Sequence, residues 1–108
     1  MTLQTIPLFP LGTVLFPDGP LPLRIFEPRY LDMISRCLRQ ASEFGVVLIV
    51  NGRDTGHVET SDVGTLARIV DWYQGSDGIL GITARGTRQF RVHGVTRQAD
   101  GLYLGDVE

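Results

Sequence analysis

The sequence contains no lysine, and all ten of its basic residues are arginines. That absence removes whole mechanisms. A phosphate-binding P-loop needs its lysine, a Ser–Lys dyad needs a lysine base, and Schiff-base chemistry needs a lysine amine. A single cysteine, Cys37, excludes an internal disulfide and suits a reducing cytoplasm. No apolar run approaches the roughly 20 residues that a membrane helix requires. Met1 to Pro10 has neither the basic start nor the long apolar core of a secretion signal. The expected location is therefore cytoplasmic, with no membrane partner. The net charge of −2 supplies no global attraction to nucleic acid or anionic lipid.

What is present is the composition of an ordinary globular domain, 43% hydrophobic and 20% charged over 108 residues. A chain of this length buries roughly two-thirds of its unfolded surface and forms one domain without metals or disulfides. All six prolines fall within the first 28 residues, so Thr5 to Arg24 cannot be a long helix or a central strand. A short strand over Thr5–Phe9, an extended connector and a second strand near Leu21–Phe26 are predicted. The connector is rich in Leu11, Val14, Leu15 and Phe16 and so must pack on something. Pro28 suits the first position of a helix. Leu31, Ile34, Leu38 and Ala41, widened by Tyr30 and Cys37, give that helix an apolar stripe, with Gly45 as its stop.

Beyond Phe44 the pattern turns to β. Phe44–Val50 reads as a strand buried on both faces, and Asn51–Asp62 as a polar surface loop. Thr65–Gln74 and Gly78–Ala84 form a hairpin across Gly75-Ser76-Asp77. Thr87–Thr96 is a further strand with Phe90 and Val92 on one face, Arg91 and His93 on the other, and a bulge at Gly94. A turn at Ala99-Asp100-Gly101 leads into a last strand, Leu102–Val107. Six or seven short strands and one inserted helix predict a mainly β fold of the α+β kind, a closed or nearly closed barrel. The stop directly on a strand at Glu108 points to a protein that continues.

No chemistry-bearing motif is complete. Gly81, Gly86 and Thr87 have phosphate-loop spacing, but Thr87 takes the lysine position and the context is strand–turn–strand. Asp54, His57 and Glu59 could ligate a metal, but they lie in one glycine-rich loop without fixed supporting groups. His57-x-Glu59 echoes the zinc deaminase signature without its paired cysteines. Cys37 sits on the apolar side of the helix, where thiols are inert, and His93 lies on a polar strand face. No serine lies in a GxSxG elbow. No catalytic residue, metal or cofactor is expected. Arg85, Arg88, Arg91 and Arg97, with His93 and no intervening acid, form the one basic stretch, and an RNA-binding module using that strand is the alternative function. Overall acidity and the lack of clustered exposed aromatics weigh against nucleic acid as a partner.

The most specific segment is IPLFPLGTVLFPDGPLPLRIFEPRY at residues 6–30. It resembles the opening signature of the Lon protease N-terminal domain family, and IFEPRY at 25–30 is most similar to its small stand-alone bacterial members. FGVVLI at 44–49, VGTLARI at 63–69 and GTRQFRV at 86–92 extend the resemblance over nearly the whole chain. It implies a PUA-like pseudo-barrel of six strands with a helix after the second. It also implies one such domain over residues 1–108, without the helical subdomain that family members carry after the barrel. In the full proteases this domain helps select unfolded or damaged polypeptides and stabilises the hexamer, while other domains hydrolyse ATP and peptide bonds. The expected function is thus non-catalytic recognition of such polypeptides, with self-association or a protease as further partners. A domain of this kind needs exposed apolar surface with polar edges. Leu11, Val14, Leu15 and Phe16, rimmed by Arg24 and Arg29, are the candidate peptide-binding residues. The competing reading is that these side chains plug the barrel end, and an unpaired strand edge could instead bind peptide by strand addition.

Overall fold

The computed structural model describes residues 2–52, 58–75 and 77–108. The first segment forms β1, Gln4–Leu11, and the connector delivers the chain into β2, Pro20–Ile25. Helix α1 spans Pro28–Gln40. Four strands follow: β3, Phe44–Gly52; β4, Val58–Gln74; β5, Leu80–Arg97; and β6, Tyr103–Val107. The sheet order is β2-β5-β4-β3-β1-β6, and β6 also pairs with β5. Five strands thus close a ring, while β2 attaches only to the first half of β5. All pairings are antiparallel except β1–β3, which is parallel.

The strand count settles at six because Gly78–Ala84 and Thr87–Thr96 belong to one strand. Arg85-Gly86 looks like a break in sequence, but Gly86 pairs with Ala67 beside a register shift. A bulge bends a strand without ending it, and the bends in β4 and β5 let one long hairpin curl around the ring. The expected loop over Asn51–Asp62 also shrinks: Asn51 pairs with Glu59 and Gly52 with Val58. Asp54 and His57 lie outside the described residues, and Glu59 is exposed on β4. The bulge expected at Gly94 is present as a register shift between Val92 and Gly94.

The helix begins as expected at Pro28, and its inward face keeps Tyr30, Ile34 and Cys37 of the expected stripe but is turned toward Met33. Tyr30, Met33, Ile34 and Cys37 are buried, whereas Leu38 is 40% exposed and Ala41 lies at the surface. The rotation follows from the Tyr30 ring, which stacks on Phe9 with centroids 4.2 Å apart. Burying that pair brings Met33 inward and carries Leu38 out. The helix ends at Ala41, whose left-handed φ of 51° closes the last turn onto the Cys37 carbonyl. Gly45, expected as the stop, is instead a β3 residue beneath Phe90, where a Cβ would approach the ring to 2.7 Å.

Residues on alternate faces of the central strands feed two cores. Phe9, Phe44 and Val46 pack with the helix, while Leu8 and Val47 meet Phe90, Tyr103 and Val107 inside the ring. Burial of both faces explains the continuous apolar run from Phe44 to Val47, but it ends before Val50, which was expected to be covered and is 59% exposed. The connector is ordered: Leu15 is 4% exposed, and its carbonyl accepts a 2.8 Å bond from the buried Thr65 hydroxyl.

Candidate functional site

The ring leaves one seam among the described residues. β6 stops at Tyr103, opposite Leu8, so Phe9–Leu11 have no strand neighbour on the side away from β3. The outer edge of β2 is likewise unpaired. Between these two edges lies a cleft of about 390 Å³ with apolar walls from Phe9, Leu11, Leu23, Ile25, Phe26 and Tyr30. Phe26 stands at its rim, 64% exposed. Leu23 and Ile25 point inward because the period-2 alternation of β2 sends Pro22 and Arg24 out.

Three arginines line the cleft. Arg29 reaches Glu27 at 2.8 Å and the Gly101 carbonyl at 3.3 Å, with its guanidinium 4.8 Å from the centroid of the Tyr30 ring. Its Nε is buried without a hydrogen-bond partner among the described residues. Arg97 lies 5.6 Å over the Tyr103 ring. Arg24 is exposed and 3.7 Å from Asp77, a pair in open solvent that contributes little. Burial pushes the Tyr30 phenol up, more strongly than the adjacent Arg29 pulls it down.

The six residues singled out in sequence fall into two places. Leu11, Arg24 and Arg29 line this cleft. Val14, Leu15 and Phe16 line a smaller groove of about 220 Å³ with Leu48, Val63 and Gln89. There Val14 and Phe16 are exposed, Phe16 at 68%, while Leu15 serves the core. Sequence reasoning missed Leu23 and Phe26 as site residues, reading them as strand. The available signal was IFEPRY, which puts a large aromatic beside the proline that starts the helix.

The arginines of β5 do not act as one group. Arg85 donates to the Asp18 carbonyl of the connector at 2.9 Å. Arg88 lines a shallow depression with Glu43 and Ser42, Arg91 is exposed, and Arg97 belongs to the cleft. Other candidate chemistries are also separated. Gly81 lies within β5 under the Tyr73 ring, and no helix follows Gly86 and Thr87. Cys37 is buried and its thiol is pushed up by that burial, while His93 pairs with Glu108. Among the described residues no group of three metal-ligating side chains occurs, and no helix is long and apolar enough to cross a membrane.

A six-stranded, mainly β pseudo-barrel with one helix after β2 defines the class, that of PUA-like domains. Within that class, residues 5–108 match the model of the substrate-binding domain of the ATP-dependent protease La (LON). A solved Lon N-terminal domain protein from Xanthomonas campestris is 43% identical with a TM-score of 0.87, covering 97% of this chain and 59% of that one. Cereblon of Danio rerio is 31% identical over 112 residues, 99% of this chain and 26% of cereblon. The N-terminal domain of a Mycobacterium avium complex Lon protease shares the fold alone, with a TM-score of 0.71 at 12% identity over 97% of this chain and 54% of that one. The chain belongs to the Lon substrate-binding domain family, whose substrates as a family are polypeptides. Residues 5–108 match one such domain, and the chain spans about a quarter of the length of cereblon.

Proposed function

We propose that this domain is a non-catalytic recognition module that binds apolar segments of unfolded or damaged polypeptide in the seam between β1 and β2. The observation that carries the reading is the cleft itself. It lies where β1 runs on beyond β6, its walls are apolar, and exposed Phe26 and Arg24 stand at its edge. An unfolded chain offers apolar side chains and unpaired backbone groups together. A seam with apolar walls beside an unpaired strand edge complements both. Any unfolding or cleavage of the bound chain then falls to a partner.

The connector groove at Val14 and Phe16 is a second apolar surface, but it is smaller and Leu15 is withdrawn into the core. RNA binding along β5 has less to recommend it, since the arginines do not share one surface: Arg85 is bonded to the Asp18 carbonyl and Arg97 lies in the cleft. An amide NMR titration tests these readings together. One sample receives a carboxymethylated, permanently unfolded polypeptide, and a parallel sample receives mixed single-stranded RNA. Shifts at Leu23–Phe26 and Tyr30 with polypeptide alone are expected. Shifts along Arg85–Arg97 with RNA, or none with polypeptide, would overturn the proposal.

A further inference from the structure

We propose that the cleft reads a chain end: it takes the free C-terminal carboxylate of an apolar polypeptide between Arg29 and Arg97. This rests on the polypeptide-binding reading above and specifies which part of the polypeptide is held.

Three observations converge on it. First, both guanidinium groups lie over Gly101. A Cβ on that residue would sit 2.7 Å from Arg29 Nη1 and 3.4 Å from Arg97 Nη2. The glycine, at φ +95°, carries the turn and leaves that space to the two cations. Second, the cations outnumber the acids. Glu27 pairs with Arg29, and Arg97 has no acidic partner among the described residues, only the Tyr103 ring. Two guanidinium groups facing one apolar hollow complement a single carboxylate, which accepts charge-assisted bonds on both oxygens.

Third, the edge of β2 favours a terminus over a strand that runs through. Proline is tolerated in a ladder where its nitrogen faces away from the paired strand. Pro20 and Pro22 therefore turn their nitrogens to the open edge, and the alternation places Arg24 with them. Of these three positions only Arg24 has an amide hydrogen to offer an incoming chain. A long inserted strand would find no donors along Pro20–Pro22. A chain that ends beside Arg24 needs none there, and its carboxylate meets the arginines.

The test uses one apolar, N-terminally fluorescent peptide in three forms: free acid, C-terminal amide, and amide with a glutamate placed at the penultimate position. Fluorescence polarisation on the whole protein gives the affinities. Charge-assisted bonds should make the acid bind roughly ten- to hundredfold more tightly than the amide. Arg97→Gln, at an exposed position, should bring the acid-to-amide ratio close to one, with an unchanged circular dichroism spectrum showing that the fold survives. Equal binding of acid and amide would overturn the inference and leave polypeptide binding standing. A glutamate amide as tight as the acid would overturn the assignment to the chain end. Failure of all three forms to bind would overturn this inference and the broader reading alike.

Discussion

Closure of the ring depends on two glycines that let the Phe90 ring lie against the backbone. At Gly64 an added Cβ would stand 2.4 Å from Phe90 Cζ, 2.8 Å from Cε1 and 2.6 Å from the Val46 carbonyl oxygen. The carbonyl belongs to β3 backbone paired with β4, so it cannot yield as a flexible side chain would. Phe90 is itself held among Leu8, Val47, Tyr103 and Val107. Gly64→Ala therefore forces the β3–β4 ladder apart or drives Phe90 off its rotamer, and overpacking of this kind costs about 1–3 kcal/mol. For a domain of this size each kcal/mol moves the melting temperature by roughly 4–8 °C, so a fall of roughly 4–24 °C is expected. Gly12→Ala is the control, because nothing lies within 4 Å of a Cβ there and its φ is not positive. That change should be neutral or slightly stabilising, since alanine narrows the unfolded ensemble. Calorimetric melts of the three proteins supply the comparison. If Gly64→Ala melts within a degree of the parent, the packing argument for ring closure is wrong.

Thr65→Val removes the hydroxyl that bonds the Leu15 carbonyl. It should cost about 1–3 kcal/mol by leaving that carbonyl unsatisfied, read as a lower midpoint in urea at unchanged slope; an unshifted midpoint would deny the anchor. Phe26→Asp should weaken binding of unfolded polypeptide by roughly tenfold or more, since a charge replaces an apolar contact, while Phe16→Asp should leave it within about twofold. Anisotropy titrations decide the matter, and the reverse order would move the site to the connector. Burial raises the pKa of both Cys37 and Tyr30, so the fold favours their neutral forms. Their contribution to stability is full below the unfolded values, roughly 8.5 and 10, and is lost as pH rises through the higher folded ones. Denaturation midpoints should therefore fall above about pH 9, and Cys37→Ala should reduce that fall.

The elements that sequence made legible are those governed by neighbours along the chain. Prolines to residue 28 excluded early helix, Pro28 marked the start of α1, and Phe44–Val50 declared a strand covered on both sides, as it is up to Val47. Family resemblance was legible too, because the first 30 residues carry so many constrained positions. Contacts between distant segments decided the rest. Gly86 and Gly45 read as a break and a helix stop, yet each serves a close approach, to the connector and to Phe90. Tyr30, Ile34 and Cys37 were legible as the buried stripe of the helix, but its edge was misplaced, taking in Leu38 and leaving out Met33. Only the stack on Phe9, from a strand some twenty residues earlier, set that edge.

The site follows the same division. Local sequence determined which residues are apolar and exposed to choice: the connector, the proline-bounded strand and the aromatic before the helix. It did not determine that Arg29 and Arg97 both reach Gly101, because the two lie on different elements far apart in sequence. Nor did it show the seam, which exists because β6 is too short to accompany β1 to its end. Periodicity and turn chemistry act over a few residues. Ring closure, and the gap it leaves, are set by strand length and register across the whole chain, and these only the tertiary structure decides.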